Sequence, residues 1–250
     1  MSWAHPKTLR GRLQTAVHLI YPPRCLGCGA QVLTDFGLCG TCWRDTPFIA
    51  GLVCDSCGVP LMGAADGFRV ECDDCMAAGF PWSDGRAALI YENRARALVL
   101  ALKHGDRAEI ARPAGLWMAR AARPILVPGM LVAPVPLHWT RLVKRRYNQS
   151  ALLAHQVART TGLQHCPDLL RRTGRTPMLD GKTAAQRAAI LAGVIDAHPR
   201  RLRHLQGRTV LLVDDVMTSG ATLTACTNAC LRAGAAQVRV LVLARVAKSP

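Results

Sequence analysis

At 250 residues, half of them apolar and 19% charged, the chain is too hydrophobic to remain disordered and long enough for a main domain plus a smaller one. Its apolar runs, such as Ala87–Tyr91, Met130–Val135 and Val210–Val213, are strand-sized and fall far short of the roughly 20 residues that span a bilayer, which excludes a transmembrane helix. The formal net charge of +16 is unevenly placed: residues 1–85 carry six Lys or Arg against eight Asp or Glu, and residues 86–250 carry 26 against eight. Such a basic C-terminal part suits nucleic acid, an anionic lipid surface or a polyphosphate ligand, the plain alternative being arginine on solvated faces.

Residues 1–24 read as a helical lead-in whose apolar positions (Leu13, Val17, Leu19, Ile20) alternate with polar ones, so they form no signal-peptide core and the protein is expected in the cytoplasm. Eight of the eleven cysteines follow before residue 76 as four CxxC pairs: Cys25/Cys28, Cys39/Cys42, Cys54/Cys57 and Cys72/Cys75. Both sulfurs of a CxxC turn point toward one centre, so two turns supply the four thiolates of a tetrahedral zinc ion. Four pairs make two structural zinc sites, and a centre closed by four cysteines leaves no position open for substrate. Sequential pairing keeps each loop short; cross-braced pairing, a disulfide framework and iron–sulfur ligation are the alternatives. A cysteine-rich domain over residues 25–80 follows.

Gly, Pro, Ser and Asp cluster at residues 79–85, where the cysteine pattern stops, and a second domain is expected over 86–250. Its elements in order are a strand at Arg86–Tyr91, helices at Ala95–Lys103 and Ala108–Arg123, a strand at Met130–Pro134 and a helix at Gln149–Thr161. A short strand near Asp168–Arg171, a helix near Thr183–Ile190, a strand at Val210–Asp214, a helix at Thr222–Ala233 and a strand at Gln237–Ala244 complete it. Strands separated by helix-length crossovers imply an α/β fold: an open, mainly parallel sheet flanked by helices, beside a small N-terminal cysteine-rich domain. Cys166, Cys226 and Cys230 stand alone, and the last two, four apart on a helix, read as packing.

The strongest chemical signal is VLLVDDVMTSGATL, Val210 to Leu223. An apolar strand ends on Asp214 and Asp215 at the sheet edge where open α/β folds bind ligands. Val216 and Met217 lead into Thr218, Ser219, Gly220, Ala221 and Thr222, small residues whose amides can converge on a phosphate at a helix N-terminus. The carboxylates stand one step away, suited to accept from ribose hydroxyls. There is no Walker A sequence and no GxGxxG fingerprint. An acidic pair holding magnesium for phosphotransfer and an ordinary capped helix are the competing readings.

This string resembles the phosphoribosyltransferase signature. Together with the CxxC pairs and the segments YENRARALVLALKHGDR, PVPLHWTRLVKRRYNQS and LLRRTGRTP, the chain is identified as a member of the ComF family over nearly its whole length. The resemblance implies that Asp214 and Asp215 hold ribose hydroxyls, that Thr218–Thr222 hold the 5-phosphate of phosphoribosyl pyrophosphate accompanied by Mg2+, and that Val135–His138, with Pro136 and Leu137, form the pyrophosphate loop. It further implies a setting of DNA uptake, with single-stranded DNA and competence proteins as partners. Two departures touch the neighbouring loops: Arg146 stands where the family has glycine, and Ile190 near a customary asparagine.

Arg141, Lys144, Arg145, Arg146 and Tyr147 place four cations and an aromatic in seven residues, and Arg171, Arg172 and Arg175 form a second cluster. Arg141 and Arg145 are positioned to neutralise a departing pyrophosphate. The same cations can track a single-stranded backbone with Tyr147 or Trp139 as stacking face, or belong to a solvated helix start. Lys103 is a candidate ligand contact; His104 and His138 are weaker candidates as acid–base groups.

Overall fold

The computed structural model describes residues 21–64, 67–137, 147–174 and 193–247, and the chain divides into two compact units, Met1–Asp45 and Thr46–Pro250. In the first unit the chain turns back on itself through an antiparallel bridge between Arg24 and Gln31 and a Cys25 N–H to Ala30 carbonyl bond of 2.7 Å. Cys39 caps the short helix α1 (Gly40–Arg44). The buried apolar side chains among its described residues are Cys25, Leu26 and Cys42.

The division at Asp45 places the second pair of CxxC turns with the α/β body, where the sequence boundary at residues 79–85 sets them apart. This body is built on a five-stranded parallel sheet of order β1-β7-β6-β2-β3, formed by β1 (Asp84–Ile90), β2 (Leu131–Pro134), β3 (Gln164–His165), β6 (Thr209–Met217) and β7 (Gln237–Arg245). α2 (Asp73–Ala78) precedes the strands, and between them lie α3 (Asn93–His104), α4 (Ala111–Ala122), α5 (Gln149–Thr161), α6 (Leu202–Leu205) and α7 (Ala221–Arg232). The expected helix at Ala108–Arg123 is α4 with a 3₁₀ turn on either side; Pro113 is tolerated in its first turn, where amides lack intrahelical acceptors. The expected helix at Thr183–Ile190 lies outside the described residues, as do lead-in residues 1–20.

Alternation along β6 and β7 serves both faces. Val210, Leu212, Val238, Val240 and Val242 join Leu223, Cys226, Ala229 and Cys230 of α7 in one buried cluster, and Leu211, Val213 and Leu241, equally buried, project to the opposite face. The same cluster takes in Cys54, Cys57, Cys75 and Trp82, so the second cysteine centre covers the β1 side of the sheet beside α7. Gly58 and Gly85 permit that approach: a Cβ on Gly58 would collide with the backbone at Ala87, and one on Gly85 with the Ser56 carbonyl.

The strand expected near Asp168–Arg171 is β4 (Leu170–Arg172), and it pairs antiparallel with the unanticipated β5 (Ile195–Ala197) in a separate two-stranded sheet. The acidic pair also departs from expectation. Asp214 and Asp215 do not end their strand, because β6 continues alongside β7 as far as Met217 paired with Arg245. On its other side β6 loses its partner after Val213, where β2 stops at Pro134. The crevice therefore opens between β6 and β2, where successive connections diverge to opposite sides of the sheet.

Candidate phosphate site and cysteine centres

A cavity of about 300 Å³ at this crevice is lined by Tyr91, Lys103, Asp214 and residues 216–223. The phosphate loop is shaped by Gly220, whose φ of +76° disfavours any side chain, and α7 then starts at Ala221, one residue earlier than expected. No side chain caps this helix, so the first amides of α7 remain free to donate to an anion. Thr218 is exposed, and Ser219 and Thr222 are half-buried at the cavity wall.

The two aspartates have different surroundings. Asp214 lines the cavity, and its Oδ1 accepts from the Ser150 hydroxyl at 2.7 Å and from the Asp215 amide at 2.9 Å. Burial pushes its carboxyl up to about 7, the Asp215 charge adds to the rise, and the Ser150 hydroxyl, the Asp215 amide and the Lys103 charge oppose it. Asp215 is buried and pairs with Lys103 Nζ at 3.1 Å. Lys103 thus touches both the cavity and the second carboxylate.

Sequence reasoning placed Lys103 near the ligand but missed what holds it. Tyr147 donates its hydroxyl to the Leu102 carbonyl at 2.7 Å, and the buried Gln149 amide donates to the Lys103 carbonyl at 3.3 Å. Asn148 accepts from the Ser150 amide as N-cap of α5 and donates to the Val135 carbonyl at 3.0 Å. Tyr147, read from the sequence as a stacking face, has its hydroxyl committed to this lattice. Ser150 and Tyr91 were also missed; the Asn-Gln-Ser run at the expected helix start was the available signal for the first. Of the expected pyrophosphate loop, Pro136 is buried and Leu137 half-buried, and neither lines the cavity. His138, Trp139, Arg141, Lys144, Arg145, Arg146 and Arg175 lie outside the described residues.

The eight paired cysteines assemble as Cys25, Cys28, Cys39, Cys42 and as Cys54, Cys57, Cys72, Cys75, with the four sulfurs of each set within 4.8 Å of one another. This is the sequential pairing; the cross-braced one is not formed. Cys28–Cys39 and Cys57–Cys72 sulfurs lie 3.7 and 3.8 Å apart, far beyond disulfide length and matching the ~3.8 Å edge of a tetrahedron with Zn–S of about 2.3 Å. Amides of Gly27 and Cys39 point at the Cys25 sulfur at 3.3 and 3.2 Å, and that of Cys72 at Cys54 at 3.3 Å, donors that stabilise thiolate. Both sets fit structural zinc. Cys226 and Cys230 are packing residues, as expected, and burial pushes both thiols up, Cys230 to about 12.

A family model described as a double zinc ribbon domain matches residues 16–76, and one described as a phosphoribosyl transferase domain matches residues 132–250. DNA utilization protein YhgH of Escherichia coli (strain K12) is 30% identical over 234 residues, covering 91% of this chain and 99% of that protein. The chain belongs to the ComF family. Competence protein F of Haemophilus influenzae is 25% identical to this ComF-family chain over 229 residues, 89% of this chain and 96% of that one. Among solved structures, the APRTase of Giardia lamblia is 23% identical, with a TM-score of 0.37 over 59% of this chain and 72% of that one. Among the described residues, no helix is long and apolar enough to cross a membrane.

Proposed function

We propose that this ComF-family protein binds phosphoribosyl pyrophosphate, accompanied by Mg2+, as a cytoplasmic phosphoribosyltransferase-family protein. The uncapped α7 N-terminus behind the Gly220 turn carries the reading: its first amides are offered to the 5-phosphate, the Thr218–Thr222 segment lines the cavity around it, and Asp214 at the cavity wall suits the ribose hydroxyls. Lys103, poised between Asp215 and the cavity, is placed to meet ligand charge, with Asp215 completing the ribose side. Val135–His138 with Arg141 and Arg145 would take the pyrophosphate, and departure of that group to an acceptor would make the protein a pentosyl transferase. The test is calorimetry with phosphoribosyl pyrophosphate and Mg2+. Wild type is expected to release heat and Gly220→Leu none, because a side chain there meets Phe80 at 2.8 Å; silence from wild type sinks the assignment.

A second reading is favoured by the names of the relatives, a DNA utilization protein and a competence protein, together with the +16 charge. In it the site retains its ligand without catalysis, and the basic face handles single-stranded DNA alongside competence proteins. Binding of an oligonucleotide that weakens steeply with salt and is indifferent to Asp215→Asn would support it. Pyrophosphate release with a nucleobase, lost in Asp215→Asn, would decide for transfer.

A further inference from the structure

The phosphate loop rests on two side chains, Arg245 and Phe80, to which the ligand reading assigns no contact with the ligand. Arg245, at the end of β7, is 7% exposed and has no carboxylate partner among the described residues. Its Nη1 donates to the Thr218 carbonyl at 2.8 Å and the Met217 carbonyl at 3.3 Å, which turns these carbonyls inward. A buried guanidinium is held by the acceptors it reaches, here the carbonyls of the loop itself. From the other side comes Phe80, the ring that a Cβ on Gly220 would strike. Phe80 stacks on Trp82, with centroids 4.2 Å apart and planes 13° from parallel, and the Trp82 indole donates to the Ser56 carbonyl at 2.7 Å, between Cys54 and Cys57. An unbroken set of contacts thus runs from the CxxC turn at Cys54–Cys57 to the loop at Thr218–Gly220.

We infer that the second cysteine tetrad and the phosphate loop are one coupled unit, with Phe80 and Arg245 as positioning residues, so that metal held by Cys54, Cys57, Cys72 and Cys75 and an anion bound at the loop strengthen each other. The inference rests on the phosphate reading above. Coupling free energy is reciprocal, so ligand should protect the metal centre as much as the metal supports the loop. These contacts start from the second tetrad, and the first tetrad, which belongs to the other compact unit, serves as the internal control.

The test is pulsed cysteine alkylation of the zinc-loaded full chain, read peptide by peptide in a mass spectrometer, with and without saturating phosphoribosyl pyrophosphate and Mg2+. Alkylation of the second tetrad should slow about fivefold or more, with the first tetrad unchanged. Phe80→Ala should lose this protection while keeping two zinc ions, and Phe80→Leu, which keeps apolar volume, should lose less. Arg245→Lys, which keeps a donor to the Thr218 carbonyl, should retain more protection than Arg245→Met. Three results overturn the coupling: no protection in a wild type that binds ligand by calorimetry, equal slowing of both tetrads and of Cys226 and Cys230, or full protection in Phe80→Ala. A wild type that neither binds nor is protected removes the ligand reading, and the coupling with it.

Discussion

The two cysteine tetrads share one pattern, a CxxC turn followed by a second CxxC turn, and differ in what surrounds them. In the first, Cys28 is exposed, and the described residues around it bury Leu26 and little else. In the second, Cys54, Cys57 and Cys75 are buried, Trp82 and Ala87 share their cluster, and Asp55 binds Arg86 of β1 at 2.7 Å. A zinc knuckle can therefore be a small unit whose core is its metal, or it can take the place of a covering helix on a sheet. The CxxC spacing does not distinguish the two. The residues between and after the cysteines do.

Removing one centre at a time separates the two surroundings most strongly. Cys57→Ala should lose one zinc ion and destabilise the α/β body by at least about 4 kcal/mol, since structural zinc supplies folding free energy outright and a buried face of the sheet is uncovered. Cys42→Ala should also lose one zinc ion, yet leave the melting transition of the body where it was. Zinc content and differential scanning calorimetry on both variants check this; equal losses from both would erase the distinction.

A smaller effect is expected at the seam between the second knuckle and β1. Asp55 accepts from the Val70 amide at 2.9 Å as well as from Arg86, so Asp55→Asn weakens two charge-assisted bonds and should cost about 2 kcal/mol in urea unfolding. Burial opposes ionisation of Asp55, but the Val70 amide and the Arg86 and Arg69 cations outweigh it and hold the carboxyl below its ordinary range. Its contribution is therefore present above the unfolded carboxylate pKa of about 4 and is lost as pH falls below that.

Asp214 has the opposite sign and should give the smallest shift. Its folded carboxyl, raised to about 7, gives stability that is full below about pH 4 and declines as pH rises through 7. Wild type should thus lose stability between pH 5.5 and 8 relative to Asp214→Asn, measured by urea unfolding at each pH with zinc present. A difference between the two proteins that is the same at both pH values would contradict the raised carboxyl.

Much of this was legible in the residues. Val210–Val213 could only be a buried strand, and the Thr-Ser-Gly-Ala-Thr run after it could only be a tight turn into a helix, so strand, loop and helix appear within a few positions of expectation. The eight cysteines announced two four-cysteine centres through their spacing, and the structure selected the sequential pairing that the spacing favoured over the cross-braced one. What stayed hidden depends on contacts distant in sequence. Gln164–His165 and Ile195–Ala197 are too short and polar to announce strands, and exist because β2 and β4 offer them partners. Two adjacent charges read as the end of a strand; pairing of β7 as far as Arg245 carries β6 past them. Nor could spacing show that Asp215 turns to Lys103 while Asp214 turns to Ser150. The division at Asp45 was equally out of reach, since it rests on packing between Ser56, Gly58 and β1.

The proposed function puts the whole ligand site in the α/β body together with its second cysteine centre. The direct test is calorimetric titration of a zinc-loaded fragment, residues 46–250, with phosphoribosyl pyrophosphate and Mg2+, beside the full chain. The same dissociation constant is expected for both. A folded fragment that fails to bind where the full chain binds, or a full chain that does not bind at all, would contradict it.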